Sequence, residues 1–187
     1  MKNGFKCDLF DAQSCLDATA QVAQRFGKID VLANVAGGFA MGTQVYDTSV
    51  DTWELMHKLN AGSVVNMARS VVPVLLEQQP SPGNGKIINV AARAGLAGAA
   101  TMGAYVAAKS AVIRLTETMA EELKERHINV NCVMPSIIDT PPNRTAMPDA
   151  DFSAWVTPAS IAGVIGFLAS AAADDLHGAA IPISGLS

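Results

Sequence analysis

The chain has 187 residues, of which 50% are hydrophobic and only 16% charged, with a formal net charge of −4. That composition supports a single globular domain over residues 1–187 with a sizeable core, and its lack of basic excess argues against nucleic acid as a partner. Its three histidines and its cysteines, Cys7, Cys15 and Cys132, show no metal-ligand or disulfide spacing, so no metal is expected and a reducing cytoplasm is the natural setting.

Short runs rich in Val and Ile alternate with longer stretches at helical spacing, the signature of an α/β fold. The N-terminus has no apolar run of signal-peptide length, and Phe5–Leu9 reads as the first strand. Leu16, Ala20, Ala23 and Phe26 then mark an amphipathic helix. A second strand, Ile29–Asn34, runs into the glycine-rich exit Asn34-Val35-Ala36-Gly37-Gly38. The long helix from Val50 to Gln78 carries Trp53, Met56, Val64, Met67, Val71 and Leu75 on one stripe, read as core. Asn60 interrupts that stripe, either as a core amide bonded to neighbouring backbone or as a functional group.

A turn cluster, Pro80–Gly85, precedes the strand Lys86–Ala91, which leads through the small-residue loop Arg93–Ala100 into a helix over Ala104–Arg126. The strand Asn129–Met134 is followed by a proline-rich loop from Pro135 to Thr157, of a length that usually serves a site. Next, Ile161–Ala173 reads as a buried helix, too short and too interrupted by Gly163 and Gly166 to cross a membrane. The last strand is Ala179–Ile183. These strands are largely apolar, as a mainly parallel sheet covered by helices on both faces requires.

Tyr105 and Lys109 stand four apart on a helix and share a face, where an ammonium could favour the ionised phenol and lower its pKa. The plainer alternative is a solvent-facing pair. Ligands in open α/β sheets bind beyond the carboxyl ends of the strands. The glycine-rich segment 34–38, the segment 91–93 and Pro135 would all lie there, converging on one crevice.

In their order along the chain, Asn34-Val35-Ala36-Gly37, Asn60, Tyr105 with Lys109, and Pro135-Ser136 with Thr140 resemble the motifs of the short-chain dehydrogenase/reductase family. The resemblance covers essentially the whole chain. It implies a Rossmann-like fold and an oxidoreductase that uses NAD or NADP on a small-molecule substrate. By it Tyr105 is the general acid, Lys109 holds the nicotinamide ribose, and Asn60 supports a water that relays protons to Lys109. Asp8 and Leu9 match an adenine contact. Asn34, Ala36, Gly37 and Pro135 line the cofactor, Ile138 and Thr140 meet the carboxamide, and Phe39, Ala92, Asn143 and Met147 flank the substrate. The family's helix pairing implies a homodimer or homotetramer through the helices at Val50–Gln78 and Ala104–Arg126.

Three departures accompany this resemblance. Ala92 stands thirteen residues before Tyr105, where the family carries a serine whose hydroxyl binds a substrate carbonyl. Val35 and Ser136 replace a usual Asn and Gly. No Gly-x-x-x-Gly-x-Gly turn occurs upstream of Asp8, so the fold is expected to lack its first βαβ unit, and with it the pyrophosphate site and the residue that separates NAD from NADP. Dinucleotide binding is therefore expected to be weak. Within the family, the loop from Asp139 to Trp155 and the alanine at the serine position are similar to dihydropteridine reductases. The competing expectation is a catalytically impaired member that acts through association, because both the phosphate-binding turn and the serine are absent.

Overall fold

The computed structural model describes residues 4–78 and 85–186. Asp11 accepts a hydrogen bond from the Gln13 N–H and opens helix α1 (Ala12–Phe26). Strand β1 (Val31–Asn34) follows. Helix α2 (Val50–His57), capped by Ser49, passes through a π-helical turn (Lys58–Gly62) into α3 (Ser63–Glu77). Strand β2 (Gly85–Val90), helix α4 (Gly103–Leu123) and strand β3 (Ile128–Pro135) come next. The chain continues through the short α5 (Pro141–Ala146), α6 (Pro158–Leu168) and β4 (Ala180–Ile183).

All four strands are parallel, in the order β1-β2-β3-β4. Ala33 stands opposite Ile88, Ile88 opposite Asn131, and Val133 opposite Ile181. Alternate side chains divide between two faces. Ile87, Val130, Cys132 and Met134 pack against Val64, Val71 and Leu75 of α3 and Val112 and Ile113 of α4. Ile88 and Val133 pack on the other face against Ile161 and Leu168 of α6. Helices therefore cover both faces, as expected, and the carboxyl ends Asn34, Val90 and Pro135 share one edge.

The strands past residue 30 fall within two residues of their expected bounds, and the helix at Ala104–Arg126 is α4 followed by a 3-10 turn, Lys124–Arg126. Five expectations need correction or restriction. The stripe read for α1 is turned outward, with Leu16, Ala20 and Phe26 exposed, while Cys15, Ala18 and Thr19 form the buried face. Phe5–Leu9 forms no strand: instead of a ladder, its polar groups serve a turn. The Asp8 carbonyl accepts from the Asp11 N–H, the Asp8 N–H donates to Ser14 Oγ, and the Leu9 carbonyl accepts from Asn66 of α3. Trp53 is not core but 44% exposed, stacked on His57. Helix α6 is buried on one side only, since it is an outer layer over β2 and β3, and Gly163, Gly166 and Phe167 face outward. Most of the turn cluster at Pro80–Gly85 lies outside the described residues.

The continuous helical run Val50–Glu77 is long and apolar enough to cross a membrane by length and composition. Here Val64, Val71 and Leu75 are buried against the sheet.

At the amino ends of the strands, Lys86 of β2 is buried on the α6 face, where its Nζ donates to Asn129 Oδ1 and forms an ion pair with Asp174. Asn129 in turn donates to the carbonyls of Asp174 and Leu176, fastening the segment between α6 and β4 to β3. Removing the half-exposed carboxylate leaves the buried ammonium uncompensated, whereas removing the ammonium leaves a carboxylate that water still reaches. Asp174→Ala should lower stability by about 1–3 kcal/mol, whereas Lys86→Met should be near neutral. Urea unfolding of both variants checks this, and equal losses would mean that the ammonium's bonds to Asn129 and Asp174 are themselves net stabilising.

Candidate active site

Three strand exits and one helix face build the site. The β1 exit follows the buried Asn34, and Gly37 sits where a side chain would be crowded. A Cβ there would come within 2.9 Å of Asn60 Oδ1 and 3.1 Å of Lys109 Nζ. Two polar groups from different helices thus converge on one bare backbone position.

Asn60 reaches that point because it lies in the π-helical turn, where one extra residue widens the helix. Its side chain is 1% exposed and fully engaged: Nδ2 donates to the Met56 and Gly38 carbonyls at 2.9 and 3.2 Å, and Oδ1 accepts from the Gly38 N–H at 3.2 Å. The amide therefore clamps the Gly37-Gly38 loop to the helix. These bonds match the reading of Asn60 as a core amide satisfied by neighbouring backbone.

Lys109 is buried in α4, and its Nζ donates to the carbonyl of Val90, the last residue of β2, at 2.8 Å. Burial pulls its pKa down to about 8. Tyr105 lies one turn earlier, with the Phe39 ring edge-on to it at 4.9 Å and 81°. Burial raises the phenol above its ordinary value. The expected depression by Lys109 does not appear: desolvation governs the phenol, while the ammonium is turned to Val90. Burial therefore favours the neutral phenol over the phenolate.

Sequence reasoning missed the supports beneath these groups. Asn34 Nδ2 donates to Asn89 Oδ1, Asn89 Nδ2 donates to Thr116 Oγ1, and Thr116 donates to the Val112 carbonyl, so a buried polar chain joins β1, β2 and α4. The signal available was Asn89, a polar residue between Ile88 and Val90 near the carboxyl end of the strand. Gly95 was missed as well. A Cβ on it would stand 2.9 Å from the Lys109 carbonyl carbon, and its own carbonyl accepts from Ser110 Oγ at 2.7 Å. The loop after β2 thereby rests on the backbone of Lys109, with Ala91 and Ala92 buried beside it.

Beyond β3, Pro135 leads into a loop that is ordered by its own bonds. Ile138 pairs with Val156, the Asp139 N–H donates to the Val156 carbonyl, and Thr140 caps α5 through the Asn143 N–H. Asn143 Nδ2 donates to the Ile138 carbonyl, and Met147 is half-buried after α5. Arg144 grips Asp139 through two bonds and lies 4.8 Å over the Phe152 ring. Asp8 and Leu9 are tied instead to α1 and α3. Among the described residues no cluster of three His, Cys, Asp or Glu could hold a metal ion.

The family described as short chain dehydrogenase matches residues 2–151. Over 183 residues the chain is 32% identical to the 3-oxoacyl-acyl-carrier-protein reductase FabG of Thermotoga maritima, covering 94% of this chain and 72% of that one. It is 30% identical over 188 residues to the 2-dehydro-3-deoxy-D-gluconate 5-dehydrogenase of Dickeya dadantii, covering 95% and 73%. A solved structure described as ElxO with NADP bound superposes with a TM-score of 0.88 at 24% identity, over 97% of this chain and 76% of that one, a likeness of fold.

Holding Lys109 charged in this position opposes folding. Between about 8 and the ordinary 10.5 the unfolded chain binds the extra proton, so stability should rise with pH across that window, and the cost is felt in full below it. At neutral pH it amounts to about 3 kcal/mol. Lys109→Met removes that cost but leaves the Val90 carbonyl without its donor, a loss of about 1 kcal/mol. The variant should therefore gain about 1–2 kcal/mol at pH 7, and the gain should fade toward pH 10.5. Urea unfolding across pH measures it, and a variant less stable at pH 7 would show that the buried ammonium is well accommodated.

Proposed function

The chain belongs to the short-chain dehydrogenase/reductase family and is an oxidoreductase; from that premise we propose that it is an NAD(P)-dependent reductase with Tyr105 as proton donor and a flat, conjugated, dihydropteridine-like substrate. The observation that carries this reading is the convergence of Asn60 Oδ1 and Lys109 Nζ on Gly37, one helical turn from Tyr105. A nicotinamide ribose would approach Lys109 Nζ from the solvent side of this contact. Lys109 spends one of its three N–H bonds on Val90, leaving two for ribose hydroxyls, and Gly37 keeps the space free of a side chain.

A bound nicotinamide dinucleotide would supply the hydride. Tyr105, kept protonated by burial, gives the accompanying proton to the substrate atom that gains electron density. Lys109 then returns a proton toward the phenolate and regains one through a water that Asn60 would support, so that its ammonium stabilises the phenolate charge until the proton arrives. Pro135, Ile138 and Thr140 would border the carboxamide side, and Asp8 and Leu9 the adenine side. Asn34, Ala36 and Gly37 form the floor between them.

Ala92 supports the choice of substrate. It offers no hydroxyl to polarise a ketone, and a quinonoid dihydropterin needs none, being strongly electrophilic already and protonated at nitrogen. Phe39, 56% exposed and braced against Tyr105, presents a flat apolar surface for such a ring, with Asn143 and Met147 on the loop opposite. The free thiols Cys7, Cys15 and Cys132 suit a reducing cytoplasm. For association, Val65, Val72, Leu115 and Met119 line a groove of about 360 Å³ between α3 and α4, with Arg69 and Glu122 among its lining residues. A second copy related by a two-fold axis would bury that apolar strip and could set Arg69 against Glu122.

Tyr105→Phe should reduce turnover of quinonoid dihydropterin by ~10²–10⁴-fold while leaving the melting temperature unchanged; retained turnover in a steady-state assay would remove Tyr105 from the chemistry. Ala92→Ser should raise turnover of a ketone substrate by about tenfold or more and leave the pterin rate within a few-fold. A pterin rate that rises equally would mean that the natural substrate needs its carbonyl polarised.

A further inference from the structure

Near the N-terminus the fold brings together two thiols that are eight residues apart. Cys7 Sγ lies 3.8 Å from Cys15 Sγ, with Cys15 fully buried in the first turn of α1 and Cys7 half-buried. Cys15 Sγ in turn donates to the Asp8 carbonyl at 3.7 Å. That residue is the hub of the turn leading into α1. Its carbonyl also accepts from the Asp11 N–H, its N–H donates to Ser14 Oγ, and its carboxylate accepts from the Phe10 N–H. The thiol pair thus sits under the segment that presents Asp8 and Leu9.

We propose that Cys7 and Cys15 are a hydroperoxide-sensitive pair whose reversible disulfide loosens the turn at Asp8 and thereby weakens dinucleotide binding. The second half rests on reading Asp8 and Leu9 as adenine contacts, whereas the first half stands on the thiol geometry alone.

The chemistry balances with a hydroperoxide as oxidant. Cys7 sulfur attacks one peroxide oxygen and the O–O bond breaks. An alcohol or water leaves, and Cys7 becomes a sulfenic acid. Cys15 sulfur then attacks Cys7 sulfur, and the S–S bond forms as water departs with the Cys15 proton. Two electrons pass from the pair of thiols to the peroxide. Exposure sets the order, since Cys7 can be reached from solvent and Cys15 cannot. Burial, with Cys7 beside it, also pushes the Cys15 thiol up to about 11, so it resolves rather than initiates.

Bonding requires the sulfurs to close to ~2.05 Å. Cys15 is fixed in a helix, while Cys7 belongs to no helix or ladder, so Cys7 must do most of the moving. The bond removes the Cys15 S–H donor from the Asp8 carbonyl and draws the adjoining backbone toward α1. Disulfides of this kind in reducing compartments are transient and regulatory rather than structural.

The test treats the 187-residue chain with hydrogen peroxide and follows three readouts: non-reducing peptide mapping, amide hydrogen exchange at Asp11, and titration with NADH and NADPH. The expected result is a Cys7–Cys15 cross-linked peptide, with exchange at the Asp11 N–H faster and dinucleotide affinity lower, each by about fivefold, the equivalent of one net hydrogen bond. Dithiothreitol should reverse all three changes, and Cys7→Ser should show none of them. Free thiols after treatment, or Cys7 carried on to sulfinic acid without a cross-link, would overturn the proposal. A disulfide that leaves both Asp11 exchange and affinity unchanged would overturn the switch. If the reduced chain binds neither dinucleotide, the cofactor reading fails by itself, and the cross-link with Asp11 exchange then decides the switch.

Discussion

A single buried hydrogen bond, from Lys109 Nζ to the carbonyl of Val90, ties the helix that carries Tyr105 to the carboxyl end of the strand that leads to Ala92. An ammonium taken out of water at this depth is costly, and it is tolerated only where the surroundings hold it in one place. Those surroundings are specific. Gly95 lets the loop after β2 rest on the Lys109 backbone, and Gly37 leaves room above Nζ. The chain of Asn34, Asn89 and Thr116 fixes β1, β2 and α4 to one another. Loosening any of these would move the cation relative to the phenol.

The polar chain deserves comparison with the apolar core around it. Asn89 is fully buried between Ile88 and Val90 on a central strand, where an apolar residue would pack as well. Directional bonds do what packing cannot, because they set the register of Asn34 against α4 as well as its distance. The site therefore inherits its alignment from the interior of the sheet rather than from the loops that border it.

The main outline was legible because parallel strands and amphipathic helices write strong periodic signals. The strand exits, the Tyr105–Lys109 spacing and the odd position of Asn60 were all visible that way. Phe5–Leu9 misled because five suitable residues look the same whether or not a neighbouring strand receives them, and Ser14 and Asn66 competed for its backbone. Trp53 fell on the apolar stripe of a helix whose first two turns project past the sheet. The raised phenol pKa was hidden for a different reason. Spacing says which groups share a helix face, but not that one of them turns inward to a carbonyl. The loop after Pro135 has no period at all, so the bonds from Arg144 to Asp139 and from Asn143 to Ile138 left no trace in pattern.

The π-helical turn at Lys58–Gly62 has a consequence for how such a site can be lost. It amounts to a helix with one residue too many, and removing one would restore the better-bonded α geometry. That same repair would swing α2 by about 100° against α3. Met56 would leave its buried position, and Asn60 would turn away from Gly37 and Gly38. A shortened helix would thus be sounder as a helix and blind as a site. For this stretch of chain, length is as much a functional character as any side chain.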